Sequence, residues 1–290
     1  MLKNLPKVPT MLKNGIHHRI WFYDLEWVPD AMAAKRLCDL PEGATERDAF
    51  EALWKRAGAN EGRPMPFLKY LFSRVVSIAF LSRCVESIDG ETQAVFRLHS
   101  MPEDPAEKDE AVLLSKFFHY VGERKPQLVG YNSLNADIRV LMQRAMVNDI
   151  AAKEFNLRPD KPWEGRDYYS DYGEWHLDIM KLICGSGNNY REVPSLNELA
   201  KMCGFPGKLD IDGLQVAELW LADELPKIIA YNEIDALNTY LVWLRLAHFC
   251  GFFEDVDYAA EEENFYNFLL AESQKPNRAH IKDFLAKWEY

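Results

Sequence analysis

The chain has 290 residues, of which 48% are hydrophobic and 27% are charged, and no long run is rich in Gly, Ser or Pro. This is an ordinary globular mixture, so we expect a folded protein throughout. The formal charge of −11 argues against a protein that coats nucleic acid through a broad basic surface. An enzyme that binds phosphate groups through metal ions is not excluded, because bound cations neutralise that charge locally.

Cysteine usage and hydropathy indicate the cellular compartment. The five cysteines are widely spaced without a CxxC pair, which argues against a zinc site or a disulfide framework. No segment offers the roughly 18 apolar residues that spanning a bilayer requires, and Met1–Thr10 lacks the apolar core of a signal peptide. We therefore expect a cytoplasmic protein without membrane contact.

Strand patterns come first along the chain. His18–Leu25 is rich in aromatic and branched residues and predicts the first strand. Ser73–Cys84 and Glu91–Leu98 carry the same residue types, and the turn residues Ser87–Gly90 between them predict a hairpin. The segment Pro29–Pro66 has helical stretches, Gly and Pro but no strand pattern, so we interpret it as an insertion.

Helical spacing dominates the rest of the chain. Asp104–Glu123 has apolar residues at three- and four-residue intervals behind an acidic first turn, which predicts an amphipathic helix. The apolar strand Gln127–Tyr131 follows, and the polar loop Asn132–Asn135 leads to a helix at Asp137–Val147. The remaining predicted elements are a brief strand at Trp175–Asp178, a short helix at Ser195–Cys203, a long helix at Glu224–Phe249 and a helical tail at Asp257–Tyr290, in which Glu261–Glu263 would be a solvated helix start.

This order of elements predicts an α/β fold with a mixed central sheet and helices on both faces. No internal repeat is visible in the sequence. The expected organisation is an N-terminal extension over residues 1–18, one domain over residues 19–250 with an insertion at residues 29–66, and a C-terminal helical appendage over residues 251–290.

Three acidic patterns stand out, each of which is weak alone. Asp24 and Glu26 stand two apart at the end of the first predicted strand, so their side chains share one face, roughly 6.5 Å apart along it. Two carboxylates there could hold one cation, but a lone DxE is more often a solvated turn. Asp137 follows a polar loop at a helix start, where an aspartate is often only a cap. Tyr231 and Asp235 share a helix face, a common pairing.

The joint occurrence, in this order, of a strand-end DxE, an NxxxxD loop and a helical YxxxD changes the interpretation. The pattern resembles the three exonuclease motifs of ribonuclease-H-like DEDD nucleases, in the subclass whose third motif carries Tyr (DEDDy). Over most of residues 19–247 the chain is similar to the proofreading domain of family-B DNA polymerases. More closely, it resembles stand-alone bacterial proteins described as predicted 3′-5′ exonucleases related to that domain. The segments that carry the resemblance are YDLEWVPD, GYNSLNADIRVL, WHLDIMKL, PSLNELAKMCGFPGK and YNEIDALNTYLVWLRL.

The resemblance implies a ribonuclease-H-like fold and a site for two metal ions. Asp24 would bridge the two ions and Asp137 would hold one of them. Glu26 and Asp235 would help to hold the ion that activates water. Four neighbouring carboxylates repel one another, whereas two hard cations favour their charged forms. Oxygen-only ligands favour Mg²⁺ or Mn²⁺, and Tyr231 would orient the attacking water rather than act as base, since its usual pKa is roughly 10.

Three further residues are candidates for substrate binding. Trp27, where the family usually has Thr, would stack on a terminal base or lie in the core. Asn132 would hydrogen-bond the substrate backbone or hold its loop. Lys208 would meet a phosphate or remain a solvated loop charge. A second departure from the family is Ala136, which replaces an aromatic residue before the second-motif aspartate and removes no metal ligand.

The resemblance favours the 3′ ends of single-stranded DNA as the substrate. An exoribonuclease is the main alternative, because only contacts to the 2′-hydroxyl separate the two activities. A non-catalytic ribonuclease-H-like binding module is a third interpretation, although such modules normally lose one or more acidic residues. We also expect the insertion after Glu26 to border the substrate groove, and His176 and Asp178 to support the short strand rather than to bind metal.

Overall fold

The computed structural model describes residues 16–170, 173–184, 192–209 and 213–289. Most of the predicted N-terminal extension therefore lies outside the described residues, as does Tyr290 at the end of the predicted tail. The strands are β1 (Arg19–Pro29), β2 (Ser73–Ile88), β3 (Glu91–Met101), β4 (Gln127–Gly130) and β5 (His176–Asp178). The α-helices are α1 (Ala31–Leu37), α2 (Glu46–Arg56), α3 (Glu110–Arg124), α4 (Asp137–Val147), α5 (Lys153–Asn156), α6 (Ile179–Cys184), α7 (Leu196–Met202), α8 (Val216–Leu221), α9 (Leu225–Phe249), α10 (Asp255–Glu272) and α11 (His280–Ala286). Short 3₁₀ helices cover Tyr70–Phe72, Pro162–Glu164 and Gly213–Gln215.

The strands of the described chain form one mixed sheet in the order β3-β2-β1-β4-β5. Strands β1, β2 and β3 are antiparallel neighbours, whereas β4 lies parallel to β1, and β5 lies parallel to β4. The chain turns from β2 into β3 at Asp89 and Gly90, which both have positive φ, as an Asp-Gly turn between antiparallel strands requires. The predicted hairpin is confirmed, with longer strands than the sequence pattern indicated.

Alternation along β1 directs its side chains into two separate hydrophobic cores. Ile20 and Phe22 belong to one core, which also contains residues of α9, α10 and α11. Trp21 and Tyr23 belong to the other core, which contains residues of α3 and α4. Most residues of α9 are buried, so it is the central helix of its layer. Helices cover both faces of the sheet, which confirms the predicted α/β fold. Within the described ranges, no helix is long and apolar enough to cross a bilayer.

Strand β1 is longer than predicted, and this changes the position of its acidic residues. Pairing with β2 continues to the end of β1, with a β-bulge between Glu26 and Trp27. Parallel pairing with β4 stops at Phe22. Asp24, at the midpoint of β1, and Glu26 therefore lie within the strand rather than at its end, at a level beyond the last residue paired with β4.

The predicted insertion contains two helices, α1 and α2, and its residues pack against helices near the end of the chain. Phe50 and Leu53 of α2 share a hydrophobic cluster with Val216 and Trp220 of α8. Tyr231 of α9 belongs to the same cluster. The insertion is thus packed beside the part of α9 that carries the third acidic pattern.

The C-terminal helices α10 and α11 contribute residues to the hydrophobic core that contains Ile20 and Phe22 of the sheet. The ring of Phe265 in α10 lies 5.1 Å from that of Phe96 in β3. The expectation that Glu261–Glu263 is a solvated helix start is wrong, because α10 begins at Asp255 and Glu261 pairs with the buried guanidinium of Arg83 in β2. The partner lies 178 positions away in the sequence, so no local pattern could reveal it. The division at residue 250 stays a sequence-based prediction.

Candidate active site

Strand β1 and helix α9 bring three carboxylates together. Asp24 and Glu26 project from the same face of β1, and Asp235 projects from α9, which lies against β1 and β2. One oxygen from each carboxylate lies within 4.8 Å of the others. The structure therefore unites the first and third acidic patterns, although they are more than 200 positions apart in the sequence.

A buried polar contact fixes α9 against the sheet at this level. The Asn232 side-chain amide donates to the Ser77 hydroxyl over 2.9 Å, and Asn232 is fully buried. Ser77 is the partner of Glu26 in the β1–β2 register. The sequence analysis did not predict this pair. The signal was Asn232 itself, because a polar side chain on a largely apolar helix needs a hydrogen-bond partner when it is buried.

Burial, and then repulsion between like charges at short distance, raises the pKa values of the two carboxylates of β1. Burial raises the pKa of Asp24 well above its usual value, and the neighbouring carboxylates of Asp137, Asp235 and Glu26 raise it further. Burial followed by Asp235 also raises the pKa of Glu26. The Oδ1 atom of Asp235 is buried without a hydrogen-bond partner. An all-oxygen donor set with an unpartnered carboxylate oxygen fits a hard divalent cation, which would favour the charged forms.

Asp137 lies beside this group as the first residue of α4 and is buried. Burial raises its pKa to about 8, although its own backbone N–H and that of Leu25 stabilise the charged form by hydrogen bonding. It does not belong to the three-carboxylate group formed among the described residues. Its charge is nevertheless close enough to contribute to the raised pKa of Asp24. The second acidic pattern therefore reaches the same region.

The loop before Asp137 is held by Asp178 of β5. The Asp178 carboxylate accepts hydrogen bonds from the backbone N–H groups of Asn132, at 2.9 Å, and Leu134, at 3.0 Å. Asn132 has a φ of 60°, a left-handed conformation that Asn tolerates better than most residues. A Cβ on Gly130 would lie 2.4 Å from that of Ser133, so only glycine permits this close turn.

His176 supports the same loop from β5. Its Nδ1 atom is 2.8 Å from the Tyr168 carbonyl, and its Nε2 atom is 2.9 Å from the Ser133 hydroxyl and 3.0 Å from that of Tyr23. Both His176 and Asp178 thus bind protein groups, in agreement with the expectation that they are internal supports. The backbone of Asn132 has the structural role that the sequence left open, and its side chain faces Asn135.

Lys208 lies within the candidate site and is not a solvated loop charge. Its Nζ atom is 3.2 Å from Asp235 Oδ2 and donates to the hydroxyl of Tyr231. Burial acts to lower the pKa of Lys208, but the Asp235 carboxylate outweighs it and the pKa is raised. Burial and then Asp235 raise the pKa of Tyr231 above its ordinary value, so its hydroxyl keeps its proton.

Two asparagines position the loop that carries Lys208. The Asn238 side chain of α9 both accepts from the Gly207 N–H, at 3.1 Å, and donates to the Gly207 carbonyl, at 3.0 Å. The Asn197 side chain of α7 accepts from the Lys208 N–H at 2.8 Å. Gly207 has a φ of 65°, and a Cβ there would meet Asn197 at 2.5 Å. The loop is therefore fitted to these two helices, which sequence reasoning did not foresee.

Trp27, which follows Glu26 in β1, belongs to a row of aromatic side chains and packs against the core that contains Trp21 and Tyr23. It is half-buried, and its ring lies edge-on to that of Tyr70 at 6.0 Å. The ring of Phe67 continues the row at 5.3 Å from Tyr70, and 61% of Phe67 is exposed. The Tyr70 hydroxyl donates to the Asn135 carbonyl in the loop before Asp137. Sequence reasoning named only Trp27 of this row.

A mixed sheet with helices on both faces, and with acidic side chains grouped between its central strand and a crossing helix, defines a ribonuclease-H-like α/β protein. Residues 65–288 match the model of a family described as predicted 3′-5′ exonucleases related to the exonuclease domain of PolB. The match covers about three quarters of the chain, so the chain belongs to this family. Asp24 and Glu26 precede the matched residues, so their place in the candidate metal site rests on their distance from Asp235 and not on the family match. No curated protein sequence matches the chain.

Proposed function

We propose that this chain is a DEDDy-class exonuclease that removes nucleotides from the 3′ end of single-stranded DNA. The observation that carries the proposal is the convergence of Asp24, Glu26 and Asp235 within 4.8 Å, with a buried Asp235 oxygen that lacks a partner. Membership of a family of predicted 3′-5′ exonucleases supports nuclease activity independently of this geometry.

Two Mg²⁺ or Mn²⁺ ions are the proposed cofactors. Asp24, Glu26 and Asp235 would hold one ion, and Asp24 with Asp137 would hold the other. When bound, the pair would lower the pKa of the attacking water and stabilise both the attacking and the leaving oxygen. Such cations would favour the charged forms of the carboxylates, which burial and mutual repulsion disfavour.

Tyr231 and Lys208 would orient the reacting groups. Because the pKa of Tyr231 is raised, its hydroxyl can donate or accept a hydrogen bond but cannot act as the base at neutral pH. Its contacts with Asp235 and Lys208 restrict its orientation, so it would hold the attacking water in one position. The Lys208 ammonium is the cation at this position that would contact the phosphate of the scissile bond.

The substrate end would lie across the site towards the aromatic row. Trp27 would stack on the terminal base, since stacking on an aromatic ring accepts any base. The Asn132 side chain would contact the substrate backbone, which is one of the two roles that the sequence left open. Single-stranded DNA is preferred over RNA on the resemblance to proofreading domains, and the proposed location is the cytoplasm.

The first test is time-resolved cleavage of a 5′-labelled DNA strand beside the matched RNA, with Mg²⁺, with Mn²⁺ and with chelator. We expect a ladder that shortens from the 3′ end of DNA, is abolished by chelator and by Asp24→Asn, and persists in Asp39→Asn, a matched change at an exposed carboxylate. Faster cleavage of the RNA would replace the proposal with an exoribonuclease. Intact strands with folded wild-type protein and every metal would instead indicate a non-catalytic binding module.

A further inference from the structure

An open cavity of about 500 Å³ lies on the face of the sheet opposite the carboxylates. We call it the trough. In the strand register, Cys84 of β2 lies beside Arg19, and Ser82 of β2 lies between Trp21 of β1 and Arg97 of β3. Two small residues on the middle strand between larger neighbours leave a depression, and all five residues line it. The trough is thus a direct consequence of side-chain size along three strands.

Helix α3 forms one wall of the trough and does not cover it. Tyr120 and Arg124, from the last part of α3, line the cavity. The Arg19 guanidinium donates to the Arg124 carbonyl at 2.8 Å, which joins the start of β1 to the end of the helix. Because α3 ends at Arg124, the sheet beyond this point is left open. The cavity volume falls in the range of about 300–1,000 Å³ that is usual for small-molecule sites.

The charges around the trough favour an anionic ligand. Three arginines and two carboxylates, those of Glu86 and Glu103, line the trough, and Glu86 is paired with Arg97 at 3.1 Å. Within the described ranges, no carboxylate lies within 4 Å of the guanidinium of Arg19 or of Arg124. Two arginines without an acidic partner at one cavity are notable in a chain with a net charge of −11. Guanidinium groups bind phosphate through paired, charge-assisted hydrogen bonds. A phosphate group is therefore the anion that this rim suits best.

Stacked rings beside the arginines favour a flat aromatic group. The Trp21 ring stacks on Phe80 at 4.2 Å, and Phe80 stacks on His99 at 4.8 Å. All three residues line the trough, and His99 is the partly exposed member of the stack. Bases bind to such aromatic surfaces with little dependence on their identity. The trough therefore combines surfaces for a base and for a phosphate within one cavity.

We propose that the trough is a second binding site, which takes a mononucleotide with its base against the His99 end of the stack and its phosphate against Arg19 and Arg124. It is separate from the carboxylate group, because Trp21 and Asp24 lie on opposite faces of β1 and are about 10 Å apart along the strand. The site goes beyond the proposed nuclease reaction and needs neither metal nor catalysis.

The test is calorimetric titration of the full chain with deoxyadenosine monophosphate in the presence of chelator, so that metal-dependent binding at the carboxylates does not contribute. Parallel titrations use deoxyadenosine, inorganic phosphate and a short single-stranded oligonucleotide. The variants are Arg19→Ala with Arg124→Ala, which removes the phosphate contacts, and Ser82→Leu, which fills the floor. The matched control is Arg36→Ala with Arg63→Ala, two exposed arginines outside the trough.

We expect the mononucleotide to bind the wild type and the control equally, and its Kd to rise at least about tenfold in both trough variants, since charge-assisted bonds are among the strongest polar contacts. Equal affinity for inorganic phosphate would overturn the role of the stacked rings. Absence of binding at millimolar mononucleotide, or binding unchanged in both variants, would overturn the site. Binding of the oligonucleotide alone would replace it with a strand-docking surface. Because chelator is present throughout, none of these results depends on nuclease activity.

Discussion

The ammonium group of Lys208 lies 3.2 Å from the carboxylate of Asp235. This positive charge acts against burial and repulsion at three acidic residues, since it lowers the pKa values of Asp24, Glu26 and Asp235 relative to a site without it. Lys208 therefore favours the charged forms of these carboxylates, which are the forms that bind cations. The contact also brings a cationic donor to the hydroxyl of Tyr231.

Replacing Lys208 by alanine should lower the turnover number for single-stranded DNA at least about tenfold, as loss of one preorganised electrostatic contact typically does. The reason is that the phosphate would lose a cation and Tyr231 would lose a contact that restricts its hydroxyl. Single-turnover cleavage at saturating metal measures this effect. Lys227→Ala, at an exposed lysine of α9, should leave the rate unchanged, and an equal loss in both variants would contradict the assignment.

Replacing Asp24 by asparagine should have opposite effects on stability and on metal binding. In chelator the variant should melt about 2 °C or more above the wild type, the shift expected from roughly 1 kcal/mol in a protein of this size. The carboxylate is repelled by three neighbours, so its removal relieves strain between like charges. Added Mn²⁺ should raise the melting temperature of the wild type but not of the variant. A metal-induced rise of equal size in both would exclude Asp24 as a ligand.

Replacing Tyr231 by phenylalanine should separate turnover from metal binding. The ring packs in the cluster with the insertion, so phenylalanine preserves the fold, and only the hydroxyl contacts with Lys208 and Asp235 are lost. We expect kcat to fall at least about tenfold through poorer orientation of the water, while KM and the Mn²⁺-induced rise in melting temperature stay as in the wild type. Loss of that rise would show instead that Tyr231 is needed to assemble the metal site.

Local periodicity predicted the parts of the site that depend on one element at a time. Residues two apart on a strand share a face, as Asp24 and Glu26 do, and residues four apart on a helix share a face, as Tyr231 and Asp235 do. Their convergence could be expected only through the resemblance to a family, because the register of α9 on the sheet depends on contacts such as that between Asn232 and Ser77.

Features that depend on distant partners were left open or wrong. The place of Lys208 depends on Asn238 and Asn197, which lie on two different helices. Helix α3 begins at Glu110 rather than near Asp104, because the side chain of Asp109 caps it by accepting from the Ala111 N–H. Several acidic residues precede α3 in the sequence, and composition alone did not show which of them is the cap.

Replacing the exposed Phe67 by alanine should weaken substrate binding without slowing the chemical step. The side chain extends the aromatic row from Tyr70 and Trp27, and base stacking on one ring contributes roughly 1–3 kcal/mol. We expect KM for single-stranded DNA to rise about fivefold or more, with kcat unchanged. Trp163→Ala is the matched control, since Trp163 is 66% exposed outside this row. A change in kcat without a change in KM would argue against a stacking role and for a structural one.

Replacing Glu233 by glutamine should destabilise the protein in a pH-dependent manner. Glu233 is buried on α9, and its carboxylate accepts from Ser100 and from His280 of the C-terminal helix, with Arg278 also close. Burial alone would raise its pKa, but His280, Arg278 and Ser100 outweigh burial and lower the pKa below the ordinary value of 4.5. Removing this charged acceptor at pH 7 should lower the free energy of unfolding by roughly 2 kcal/mol, because the buried contacts of Ser100, His280 and Arg278 are weakened while Arg278 keeps its ion pair with Glu272.

The sign of the pH dependence follows from the lowered pKa of Glu233. A group that is more acidic when folded stabilises the protein fully above its unfolded pKa, and this contribution is lost as the pH falls through the folded pKa. The difference in unfolding free energy between the wild type and Glu233→Gln should therefore be constant above about pH 5 and shrink below pH 4.5. Urea denaturation across this range measures it, with Glu263→Gln, an exposed change on α10, as the control. A difference that stays constant down to pH 3 would mean that glutamine disturbs the packing of α9 rather than the ion pair.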